Sequence, residues 1–88
     1  MDTKLTRRPD GVQLNALSTA VFDVLARFTA FPWPIMLAQC KRVNVDPSEL
    51  TADGLRKALP FIVHGVERFT DPVKAGQAEE ELSSLARM

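Results

Sequence analysis

Within 88 residues the chain carries one cysteine, one histidine and four glycines, and each scarcity closes a class of function. Cys40 has no partner for an internal disulfide, and as a nucleophile it would need a nearby base that no neighbouring residue supplies. His64 projects away from the apolar stripe of its helix, with Lys57 and Arg68, while Cys40 projects into the stripe of another helix. The two are not expected to meet, so they do not begin a metal site. Gly11, Gly54, Gly65 and Gly76 are scattered, and none belongs to a phosphate-cradling loop. No serine-based catalytic motif is present. The expectation is a protein that is not an enzyme and uses no cofactor and no metal.

Charge of one sign is also missing. Eleven basic side chains balance eleven acidic ones, which argues against a dedicated nucleic-acid binder and against a polybasic membrane contact. No stretch approaches the roughly 20 apolar residues that a membrane span requires. Arg7 and Arg8 are followed by proline and aspartate instead of an apolar run, which does not read as a secretory or twin-arginine signal. With a lone cysteine, these features point to a soluble, cytoplasmic chain.

What is present is helical periodicity. Residues 1–11 are polar, end in Pro9-Asp10-Gly11, and are expected to form a short flexible N-terminal arm. Residues 12–88 read as a single helical domain. The first helix is expected from about Gln13 to Ala30, with Leu14, Leu17, Val21, Val24, Phe28 and Phe31 along one stripe and Leu25 widening it. Asn15, Thr19, Asp23 and Arg27 fall opposite, and Pro32 ends the helix. A second helix is expected from Pro34 to Val43, with Trp33, Met36, Leu37, Cys40 and Val43 on one face.

Asp46-Pro47 signals a helix start, for one turn, and Thr51 offers a second start. The third helix is expected from Thr51 to Phe69 along Leu55, Leu59, Ile62, Val66 and Phe69. Pro60 lies inside it on the polar side, and the stripe keeps phase across it, which favours a proline-kinked helix over two separate ones. Asp71-Pro72 opens a fourth helix to Ala86, carrying Ala75, Ala78, Leu82, Leu85 and Ala86 on one face. No strand-type alternation or internal repeat occurs. The fold class is therefore all-α, a compact four-helix bundle-like domain.

Three signals bear on function. Glu79, Glu80 and Glu81 are consecutive, so they splay around a helix and form a solvated face, not a convergent site. Helices two and three with the Asn44–Pro47 turn have the spacing of a helix-turn-helix, in which Arg56 and Lys57 would face bases and Lys41 and Arg42 phosphates. Asp46, Glu49 and Asp53 crowd the start of that recognition helix and oppose the DNA backbone. Apolar and aromatic residues also stand at the stripe edges: Phe22, Trp33, Ile35 and Phe61. Edge aromatics suit an interaction surface, or else they close the ends of the bundle. The leading expectation is a protein-protein interaction module, an adaptor or regulatory subunit. It docks another protein or a second copy of itself, as a homodimer, through those four residues. A DNA-binding regulator is the alternative.

Overall fold

The computed structural model describes residues 13–87. They form four helices: α1 (Ala16–Phe28), α2 (Pro32–Arg42), α3 (Ala52–Phe69) and α4 (Pro72–Ala86), with no strand among the described residues. The expected arm over residues 1–11 lies outside the described residues.

Local chemistry accounts for each boundary. α1 starts three residues later than the periodicity suggested, because Asn15 is its N-cap and its Oδ1 accepts from the Ser18 amide at 2.8 Å. α1 ends at Phe28, and the Thr29 hydroxyl oxygen accepts from the Phe31 amide at 3.1 Å in the three-residue corner that follows. α2 begins two residues earlier than expected, at Pro32 instead of Pro34. Both prolines fall in the first turn, where amides have no intrahelical partner to lose.

The end of α2 is a Schellman motif. Asn44 takes a left-handed φ of 57°, its amide donates to the Lys41 carbonyl at 3.2 Å, and the Val45 amide donates to the Cys40 carbonyl at 2.9 Å. Asp46-Pro47 opens only a turn. Asp46 Oδ1 accepts from the Ser48 amide at 2.9 Å and the Ser48 hydroxyl at 2.7 Å, and no helical turn is nucleated there. α3 and α4 start where the sequence indicates, with Thr51 capping the Gly54 amide at 3.0 Å and Asp71 capping the Lys74 amide at 2.8 Å. α3 runs through Pro60 as one helix, with the proline on its exposed side. The Arg56 carbonyl, which loses its usual amide partner to the proline, belongs to an exposed residue where water can serve it.

The helices pack in a ring. α4 sits between α1 and α3, α2 packs chiefly on α3, and α2 and α4 lie on opposite sides without touching. The core is built from Val21, Phe22 and Leu25 of α1, Ile35, Met36 and Cys40 of α2, Leu55, Ala58, Ile62 and Val66 of α3, and Ala75, Ala78, Leu82 and Ala86 of α4, with Leu50 from the connection.

The buried face of α1 is rotated from the expected stripe. It keeps Val21, Val24 and Leu25 of that stripe and adds Ser18 and Phe22, while Leu14, Leu17 and Phe28 are only partly buried. Ser18 can occupy the middle of this face because its hydroxyl oxygen accepts from the Leu50 amide at 2.9 Å. Asn15 completes the junction. Its Nδ2 donates to the Leu50 carbonyl and its backbone amide to the Ser48 carbonyl, both at 2.9 Å. Among the described residues no buried side-chain polar atom lacks a partner.

Candidate functional site

The four residues expected at an interaction surface separate in the fold. Phe22 is 3% exposed and Ile35 2% exposed, so of the two readings of the stripe-edge residues both follow the one in which they close the bundle. The cause is that each helix packs against at least two others, which together cover a wider arc than a single stripe. Trp33 is half-buried against the core beside the Phe31–Pro34 corner. Phe61 alone of the four is exposed, with the Arg42 guanidinium 5.3 Å above its ring.

The surface feature nearest to a site is a groove of about 360 Å³ between α2 and α3. Its apolar lining comes from Phe31, Pro34, Ile35 and Ala38 on one side and from Gly65 and Phe69 on the other. α2 approaches α3 closely at Gly65, where a Cβ would lie 3.1 Å from Ile35 Cγ2. At one end the Phe31 and Phe69 rings meet with centroids 5.5 Å apart. The two aromatics close the apolar stripes of their helices in sequence, yet Phe69 is 61% exposed because it stands on the last turn of α3. At the other end Arg42 lines the groove and covers Phe61.

Electrostatically the groove is one-sided. Arg42, His64 and Arg68 line it and no carboxylate does. Neither arginine is paired with a carboxylate among the described residues; Arg42 instead donates to Gln39 Oε1 at 3.4 Å. Three cations elsewhere are paired. Arg27 of α1 pairs with Glu81 of α4, and Asp53 faces both Arg56 at 3.5 Å and Lys57 at 3.6 Å. Arg56 also donates to the Ala86 carbonyl at 2.9 Å, closing the end of α4. The two residues proposed to face DNA bases therefore share one aspartate and, in the case of Arg56, an intramolecular role.

Cys40 is fully buried, and burial, with a smaller contribution from the Asp46 charge, pushes its thiol up to about 11. It stays protonated at neutral pH and has the character of a packed apolar group, not a nucleophile. Hydrogen bonds from the Ser48 hydroxyl and amide hold the Asp46 carboxyl below its ordinary value. His64 is exposed on the groove rim. No group of three or more His, Cys, Asp or Glu residues among those described is placed to hold a metal ion, and no described helix is long and apolar enough to cross a membrane.

A second groove, of about 370 Å³, lies where Ala16, Leu17 and Ala20 of α1 meet Leu50–Ala52 and Leu85. Thr51 supplies its only polar side chain and it has no charge. Compared with known proteins, the chain matches no family model, no curated protein and no solved structure.

Sequence reasoning named Ile35, which lines the α2/α3 groove, and Phe61, which lies under Arg42 beside it, and missed the other lining residues. The signal was present in Arg42, Arg68 and Phe69, which recur on two helices, but only the antiparallel pairing of those helices places them on one rim.

Proposed function

We propose that this chain is a small protein-interaction module, an adaptor or regulatory subunit acting in the cytoplasm, which docks a partner in the groove between α2 and α3. The observation that carries the reading is an open apolar groove in which Pro34, Ala38 and Phe69 are exposed, with Arg42 at its far end covering exposed Phe61. Monomeric domains seldom leave such residues together at the surface without a use for them. The volume lies in the range of sites that accept a few anchoring side chains. Self-association through Phe22 is the weaker version, because burying that ring against a second copy would require opening the core that already covers it.

The test is selection of displayed peptides against the folded chain, with Phe69→Ser as counter-target. Phe69 is mostly exposed, so the variant is expected to melt close to the parent. Peptides that bind the parent and not the variant support the reading. Selected peptides indifferent to Phe69→Ser place the contact elsewhere, and no selectable binder removes the reading.

A further inference from the structure

Resting on that reading of the groove, we infer that its occupant is an acidic amphipathic helix of a partner protein, with apolar anchors between carboxylates. The first argument is charge. The groove floor is apolar, its rim carries Arg42, His64 and Arg68, and no carboxylate lines it. An occupant with carboxylates flanking its anchors would meet two arginines that have no carboxylate partner within the described residues. The second argument is length. From Phe31 to Arg42 the α2 wall rises about 16 Å at the helical repeat, which matches a partner helix of about three turns. A helix laid in a groove presents anchors at spacings of three and four, leaving its flanks free for acids.

The chain's own segments fit poorly. Residues 1–12 contain Lys4, Arg7 and Arg8 against Asp2 and Asp10, so their charge has the wrong sign for this rim. α4 of a second copy has acidic Glu79 and Glu80 on its surface, but Val73 is its only exposed large apolar residue, which leaves it without a second anchor.

Three synthetic 12-residue helical peptides provide the test, sharing two Leu anchors at i and i+4 and differing only in acidic, neutral or basic flanks. Their binding to the full chain is measured by titration at low and high salt, for the parent, Phe69→Ser, and Arg42→Gln with Arg68→Gln. The acidic peptide is expected to bind about tenfold tighter than the neutral one, and its advantage should shrink at high salt. The arginine pair of substitutions should erase that advantage while leaving the neutral peptide's affinity within about twofold, because both residues are exposed and the apolar floor is untouched. If the neutral peptide binds as well as the acidic one and is lost with Phe69→Ser, the acidic preference is overturned while the interaction module stands. If no peptide binds, both fail. Tighter binding of an oligo-uridine 8-mer than of the acidic peptide, or self-association at 50 μM (about this concentration suffices for a weak dimer) that Phe69→Ser abolishes, would also overturn the inference.

Discussion

The two sides of α3 are built differently. Toward α4 the residues are small, since three of the four buried residues of α4 are alanines, and the two helices share the most extensive contact in the fold. Toward α2 the approach is close at Gly65 and Ile35, and beside that point the helices leave an open groove with an aromatic pair at one end and an arginine-covered phenylalanine at the other. Small residues close one seam because two backbones can approach along its whole length. A single glycine closes the other only locally, and the bulky groups beside it hold the rims apart. Stability and recognition are thereby assigned to opposite faces of one helix.

That contrast breaks most visibly in the closed seam. Leu82→Ala removes a fully buried side chain from among alanines that cannot expand to fill the space, and is expected to cost about 2–5 kcal/mol in urea unfolding. A loss under about 1 kcal/mol would mean that the α4 seam is looser than its alanines imply.

The inner side of the α2 seam is probed by pH. The folded Cys40 thiol titrates near 11, against an ordinary 9.0, so between those values the folded state holds a proton that the unfolded chain has released. Stability from this group is full below about pH 9 and is lost as pH rises toward 11, by about 2.7 kcal/mol at most. So that the contributions of other groups cancel, the measurement is the difference in pH-dependent stability between the parent and Cys40→Ala. Identical slopes would mean that the thiol reaches water.

A smaller effect is expected at the junction that both seams rely on. Asn15→Ala removes a helix cap and a hydrogen bond to the Leu50 carbonyl, together about 1–2 kcal/mol by thermal melting. Ser18→Ala should add less than its own separate effect when combined with it, since both side chains hold the same segment. Smallest of all, Leu37→Ser, at 45% exposure on the outside of α2, should change stability by no more than about 0.5 kcal/mol. A larger loss would show that Leu37 is covered by something outside the described residues.

The parts legible in the sequence were those written in local chemistry. Thr51 and Asp71-Pro72 mark helix starts because a cap needs only the amide three residues on. The alanine face of α4 and the continuity of α3 through Pro60 follow from periodicity alone. What could not be read was decided between segments. Ser18 is polar, so no hydropathy pattern centres α1 upon it, and its burial depends on an amide 32 residues away. Leu37 and Ile35 lie on nearly opposite sides of α2, and which one is covered depends on where α3 crosses; the structure exposes the first and buries the second. The groove has the same character: Arg42, Arg68, Phe31 and Phe69 mean little singly and become one surface through the pairing of two helices.

The junction of Asn15 and Ser18 with residues 48–50 has a consequence for motion. Its three hydrogen bonds tie the start of α1 to the strap after α2, so the intervening chain forms a closed loop with α2 at its far side. α2 packs chiefly on α3, with a smaller contact on α1, and is expected to lift from them while the base of the loop stays tied. Amide exchange should then fall into two classes. Amides in the exposed turns of α2 would exchange through local lifting, whereas the Leu50 amide, donating to a buried hydroxyl, would exchange only when the whole chain opens.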